Sequence, residues 1–193
     1  MSPTRQPRKP RLATVWLAGC SGCHMSFLDL DEWLLELAER VEVVYSPLAS
    51  DAKTYPESVD VCLVEGAVAN GDNLAMARIL RQRTRVVVAF GDCAISANVS
   101  GLRNPWADRA GDSAATVLER AYGELAEAGG LAPPDGVVVP RLLERVLPLH
   151  AVIPVEVWLP GCPPSAARIR LVLEALLEGE RPRLEGPQGL RFG

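Results

Sequence analysis

The chain has 193 residues, enough for one sizeable hydrophobic core and a single domain. Apolar residues make up 48%, which excludes a disordered chain, and a net charge of −4 argues against nucleic acid as the main partner. No run reaches the roughly 18 apolar residues of a membrane span. The basic, proline-rich start leads into no signal core or twin-arginine motif, so a cytoplasmic protein with reduced thiols is expected.

The predicted elements alternate between strand and helix. Leu12–Leu17 is β-branched and aromatic and reads as a first strand. Ser26–Arg40 places Phe27, Leu30, Leu34, Leu37 and Ala38 on one 3.6-period face, which predicts an amphipathic helix. Val41–Tyr45 predicts a second strand stopped by Ser46-Pro47, and Val59–Val64 a third, with a helix over Asn73–Gln82 behind it. Arg85–Phe90 is a continuous apolar run bounded by Gly91, the pattern of a strand buried on both faces of a parallel sheet. Ala94–Arg109, punctuated by Gly, Asn and Pro, predicts an irregular excursion of a length that is usually functional. A helix over Ala114–Ala128, a last strand over Ile153–Leu159 and a closing helix over Ala166–Glu178 complete the series. Strands separated by helices mean a parallel sheet covered on both faces. The expectation is therefore a single α/β domain, a doubly wound flavodoxin-like parallel sheet over residues 12–178. Residues 1–11 are expected as a basic N-terminal tail and 179–193 as a C-terminal tail.

Four of the five cysteines fall just past predicted strand ends: Cys20 and Cys23 after the first, Cys93 after Phe90, Cys162 after Leu159. That is the edge on which open α/β sheets build their sites. Glycines stand beside them (Gly19, Gly22, Gly91, Gly161), allowing close backbone approach and leaving N–H groups free to point at sulfur. Pro163 and Pro164 stiffen the exit from Cys162, in the manner of the Cys-Pro that closes bacterial ferredoxin motifs. Cys62 lies mid-strand with no neighbouring glycine and reads as a small core residue. A Cys₄ set fits either structural zinc or an iron–sulfur cluster. Zinc ribbons normally bring two close pairs, whereas here one pair joins two distant singles, so the cluster is the favoured reading. A thioredoxin-type C-x-x-C leaves Cys93 and Cys162 unexplained.

Trp16-Leu-Ala-Gly-Cys-Ser-Gly-Cys-His-Met-Ser26, Gly91-Asp-Cys-Ala94 and Pro160-Gly-Cys-Pro-Pro164 resemble the small subunit of a nickel–iron hydrogenase, in particular the cytoplasmic, NAD-reducing bidirectional group. The resemblance covers nearly the whole chain. It implies that Cys20, Cys23, Cys93 and Cys162 ligate the proximal [4Fe–4S] cluster, beside a large subunit that carries the nickel–iron site. Electrons would pass onward to diaphorase iron–sulfur and flavin subunits, and the whole complex would catalyse H₂ + NAD⁺ → NADH + H⁺. The chain itself is expected to break no bond, so no catalytic residue is assigned. Longer small subunits continue into a domain with two further clusters, whereas no cysteine follows Cys162 here; one cluster is expected. Many relatives place Ser-Glu after the second cysteine, where His24-Met25 stands, which puts a proton path through that position in doubt. The complex I cluster subunit resembles the chain in fold but begins its motif with adjacent cysteines. Coenzyme-F420-reducing and heterodisulfide-linked hydrogenases share the Gly-Cys-Ser-Gly-Cys run and stand as alternatives. A zinc-stapled interaction module is the non-enzyme alternative.

Other residues carry weaker signals. Glu65 ends the third strand on the same edge, either tuning a cluster or touching the large subunit, with a polar turn residue as the alternative. His24 is expected at the surface, with a bond to sulfur or a proton relay as its functional alternative. His150 reads as a loop residue, and Trp16 and Trp158 as core packing that keeps the site dry. Trp106 is an interface candidate. Arg5, Arg8, Lys9 and Arg11 are expected in a mobile tail. Cys20-Ser-Gly-Cys23 fills the loop where flavodoxins cradle phosphate; a flavin elsewhere on the same edge stays open, but the sequence does not support one.

Overall fold

A computed structural model describes residues 8–105, 113–125 and 139–185. In chain order it holds β1 (Arg11–Trp16), α1 (Gly22–Leu28), α2 (Trp33–Arg40), β2 (Glu42–Tyr45), β3 (Val59–Glu65), β4 (Val68–Asn70) and α3 (Gly71–Arg83). There follow β5 (Thr84–Phe90), α4 (Asp92–Ser96), a 3₁₀ turn (Asn98–Arg103), α5 (Ser113–Leu118) and a π-helical turn (Glu119–Glu124). The chain then forms β6 (Leu142–Leu147), a short 3₁₀ turn (Leu149–Ala151), β7 (Val157–Leu159) and α6 (Ala166–Leu177).

The main sheet has five strands in the order β2-β1-β3-β5-β7, every neighbouring pair parallel. This is the doubly wound arrangement expected from the sequence. Alternate residues of the central strands feed two separate cores. Leu12, Val61, Leu63, Val88 and Phe90 meet Trp33 and Leu37 of α2 and Ile169, Val172 and Leu173 of α6 on one face. Ala13, Val15, Cys62, Val64, Val87 and Ala89 meet Ala77 and Leu80 of α3 on the other. Because successive side chains point to opposite faces and both faces are covered, Val61–Val64 of β3 and Val86–Phe90 of β5 are continuously apolar. Gly66, at φ +95°, follows β3 where an added Cβ would lie 2.8 Å from the Leu17 carbonyl carbon, so glycine is needed where the chain leaving β3 packs against Leu17 and Ala18.

Several expectations need correction. The single helix over Ser26–Arg40 is two helices, and the first begins inside the cysteine loop at Gly22. The break falls where Asp29 ends α1 and Asp31 adopts a positive φ of 49°. Ala38 is exposed, whereas Trp33, absent from the expected apolar face, is buried. The last strand is shorter than Ile153–Leu159: only Val157–Leu159 pair regularly with β5. Pro154 cannot donate to a ladder, and Glu156 uses its N–H toward Val87 O (3.1 Å) and its carboxylate to accept from Val87 N (2.8 Å). The antiparallel pair β4–β6 has no counterpart among the predicted elements, because three-residue β4 is too short to show a period. The excursion after Cys93 begins with two helical turns, and Trp106 lies outside the described residues. The helix expected over Ala114–Ala128 changes to π-type after Leu118, and its last residues also lie outside.

The basic start is fastened from Arg8 onward. Arg8 pairs with Asp60 at 3.0 Å, Lys9 reaches Ala38 O at 3.3 Å, and the Arg11 N–H donates to Asp60 at 2.8 Å. Among the described residues, no helix is long and apolar enough to cross a membrane.

Two substitutions should separate the two sources of stability. Leu63 has no exposed surface, so Leu63→Ala should cost about 2–5 kcal/mol in urea unfolding. The Asn70 side chain accepts from Asn73 N at 2.8 Å and caps α3, so Asn70→Ala should cost only about 1 kcal/mol. Equal costs in the same assay would contradict this division.

Candidate metal centre

The parallel ladder delivers three loops to one edge. Cys20 lies in the β1–α1 loop and Cys23 in the first turn of α1. Cys93 opens α4 directly after β5, and Cys162 sits in the β7–α6 loop. Cys23 and Cys93 are each 6% exposed, whereas Cys20 and Cys162 are open to solvent.

Hydrogen bonds stitch these loops together. Gly91 N donates to Leu159 O (2.8 Å), Asp92 N to Gly161 O (3.0 Å), and Gly161 N to the Asp92 carboxylate (2.8 Å). The Cys93 and Cys162 loops are thereby joined by three hydrogen bonds. Ser26 Oγ donates to Pro164 O at 2.6 Å, which ties α1 to the Cys162 loop. Arg168, buried near the start of α6, donates to Pro160 O at 2.8 Å. Gly91 holds φ +82°, and a Cβ there would stand 2.2 Å from Cys23 Sγ. The sulfur occupies the space that any side chain at position 91 would need.

Electrostatics link the four thiols. Burial pushes the Cys23 thiol far above its ordinary range, and Glu65 and the sulfurs of Cys93, Cys20 and Cys162 push it the same way. Cys93 is raised chiefly by burial, with an N–H bond from Val99 working against that rise. Four ionised sulfurs here, beside a buried carboxylate, require positive charge among them. A thiolate-ligated metal group supplies that charge and displaces the protons, so the donor set fits such a group. Tetrahedral zinc at 2.3 Å per sulfur would need sulfurs about 3.8 Å apart. Among the described residues, no three His, Cys, Asp or Glu side chains are gathered closely enough to share a single ion.

Several expectations around the site need correction. His24 is buried, not at the surface. Its backbone N–H donates to Glu65 Oε2 at 3.0 Å and its ring Nδ1 meets the same oxygen, while the ring packs edge-on against Phe90. Glu65 is likewise buried, so the polar-turn reading fails: it anchors the first turn of α1, next to Cys23. Trp16 and Trp158 are 47% and 42% exposed and do not close the core. Trp16 is the last residue of β1, beyond the covering helices, and its Nε1 donates to Gly19 O at 3.1 Å beside Cys20. Trp158 lies on the edge strand, its ring 5.1 Å from that of His150. Cys62 behaves as expected, fully buried in the sheet core, its thiol pushed up to about 12 by burial. Asn98, which no sequence motif marks, joins the site: its Nδ2 donates to Cys162 Sγ at 3.4 Å.

The profile described as NADH ubiquinone oxidoreductase, 20 kDa subunit, matches residues 20–176, from the first site cysteine through nearly all of α6. The chain belongs to this family. It is 34% identical to the delta subunit of the NAD-reducing hydrogenase HoxS of Cupriavidus necator, covering 89% of this chain and 80% of that one. It is 38% identical to a subunit of the F420-non-reducing hydrogenase Vhu of Methanococcus voltae, over 91% of this chain but 59% of the relative. The chain thus spans about three fifths of the length of such methanogen relatives. A solved chain of an NAD⁺-reducing [NiFe]-hydrogenase in the H₂-reduced state superposes with a TM-score of 0.85 at 41% identity, covering 96% of this chain and 100% of that one. The hydrogenase resemblance expected from the cysteine motifs is borne out.

The His24–Glu65 pair generates a stability prediction. Glu65→Ala leaves a buried N–H and a buried ring without their acceptor and should cost about 1–3 kcal/mol. Glu65→Gln keeps an acceptor oxygen and should cost less, as read by thermal unfolding. An order reversed between the two would remove the anchoring role.

Proposed function

We propose that the chain is the electron-transfer subunit of a nickel–iron hydrogenase, holding one [4Fe–4S] cluster on Cys20, Cys23, Cys93 and Cys162. The observation that carries this reading is the convergence of three strand-end loops that bring four coupled thiols to one edge. One C-x-x-C pair joined by two distant single cysteines, rather than two close pairs, supports a cubane over a structural zinc ion. Identity to the NAD⁺-reducing enzyme over the whole of its matched chain supports NAD as the final acceptor, reached through diaphorase subunits, over the coenzyme-F420 alternative.

A bound iron–sulfur cluster supplies reversible one-electron storage. The residues of this chain provide the setting. Cys23 and Cys93 fix the inner side, where exclusion of water keeps the site rigid, and Cys20 and Cys162 form the open side. Trp16, Met25, Val99 and Leu102 are exposed apolar residues on or next to the cysteine loops. Such a surface suits burial against a large subunit that carries the nickel–iron site, with an apolar centre as in obligate interfaces. Glu65 and His24 hold the turn that carries Cys23. No group on this chain is assigned to hydrogen cleavage, which belongs to the partner's metal site.

The test is metal content and turnover of the assembled complex. The subunit should hold about four irons and four sulfides. Serine at position 20, 23, 93 or 162 should abolish the intact cluster and hydrogen-dependent NAD reduction, whereas Cys62→Ser should leave both in place. Zinc in place of iron, or an intact cluster in Cys162→Ser, would falsify the assignment.

A second prediction isolates the steric role of Gly91. Gly91→Ala and Gly179→Ala both place a side chain at positive φ, +82° and +77°, so both carry backbone strain. Only the first collides with Cys23 Sγ; the second meets nothing within 4 Å. Gly91→Ala should therefore lose iron while Gly179→Ala keeps it. Equal iron content in the two variants would contradict the packing argument.

A further inference from the structure

The segment after α4 turns sharply on two consecutive residues of positive φ, Ala97 at 66° and Asn98 at 27°. Such backbone is costly for residues other than glycine, less so for asparagine, and persists where surrounding contacts enforce it. Those contacts are present. Ala97 N donates to Cys93 O (3.0 Å), Gly101 N to Ala97 O (2.9 Å), and Ser100 Oγ to Ala18 O (2.8 Å), which ties the turn to the β1–α1 loop. Asn104, at the end of the same 3₁₀ turn, is fixed in turn by a two-way bond with the Val146 backbone.

What the strained turn achieves is the aim of two donors. The Asn98 amide reaches Cys162 Sγ at 3.4 Å, and the Val99 backbone N–H donates to the sulfur of Cys93. The two sulfurs belong to different loops, one after β5 and one after β7. We propose that the Ala97–Val99 turn is a two-donor bracket on the Cys93 and Cys162 sulfurs that raises the reduction potential of the cluster. The proposal rests on the assignment of these cysteines as ligands. Reduction adds one electron, no bond to this chain forms or breaks, and the added negative charge spreads onto the ligand sulfurs. N–H donors held against those sulfurs favour the reduced form over the oxidised one. Glu65, buried against Cys23 on the other side, acts in the opposite direction. Asn98 carries no titratable group, so its contribution is fixed. It is a positioning and tuning residue, not a ligand.

The test uses the assembled hydrogenase complex with Asn98→Gly and Asn98→Asp in this subunit. Glycine tolerates the φ of the turn and deletes the donor; aspartate keeps the side-chain shape, replaces the donor by an acceptor and adds charge. Redox titrations followed by electron paramagnetic resonance, with iron analysis alongside, give the readout. Iron content should match wild type in both. At a fixed ambient potential, the reduced-to-oxidised ratio should fall about tenfold in Asn98→Gly, or 59 mV for a one-electron couple. It should fall further in Asn98→Asp. A purely structural role would lower stability without moving the midpoint. An unmoved or raised midpoint in Asn98→Gly, or loss of iron from both variants, overturns the bracket. A wild-type complex with no iron in this subunit removes the functional reading itself, and the bracket with it.

Discussion

The organising constraint is burial of both faces of a parallel sheet. β1, β3, β5 and β7 run in the same direction with helices against each face, so their side chains are committed to two apolar cores. Cys20, Cys23, Cys93 and Cys162 all lie past strand ends, and because the strands are parallel their carboxyl ends share one edge. The loops after β1, β5 and β7 are thereby neighbours without any contact between the helices that follow them having to specify it.

At that edge burial raises the inner thiols first, and the neighbouring negative groups add to it. Thiols, a buried carboxylate and a buried imidazole occupy a region with little water, where each negative group raises the cost of the next. Backbone and side-chain donors are spent on this problem at several points: the His24 N–H on Glu65, the Val99 N–H on Cys93, the Asn98 amide on Cys162. The two inner sulfurs are therefore set by the fold, and the two outer ones by loops that hydrogen bonds hold in place. That division suits the proposed exchange of electrons across the open side, with the inner wall held by the fold.

Much of this is legible in the sequence because it depends on period and position. Arg85–Phe90 and Val59–Val64 announce two-sided burial directly, and the glycines beside the cysteines mark where backbone must approach sulfur. Other features depend on distant partners and leave no local trace. His24 reads as a surface residue until Glu65, 41 positions away, is brought beside it by the β1–β3 pairing. The periodic face of Ser26–Arg40 hides a break, because a helix and its continuation after a tight turn can keep similar apolar spacing. Trp16 and Trp158 mislead for the reverse reason. Period two gives the face of a strand but says nothing of where the strand ends or whether it lies at the edge: Trp16 is the last residue of β1, and Trp158 sits on edge strand β7.

The lengths of the edge strands have their own consequence. β2 and β7, which flank the sheet, have four and three residues, whereas interior β3 and β5 have seven each. A flank so abbreviated offers little unpaired backbone on which another chain's strand could extend the ladder. Before it meets a partner, the chain is thus protected along its sides from sheet-to-sheet polymerisation. Assembly at the cysteine edge, where Trp16, Met25, Val99 and Leu102 are exposed, then rests on side chains rather than on peptide groups, and is a question of shape and not of register.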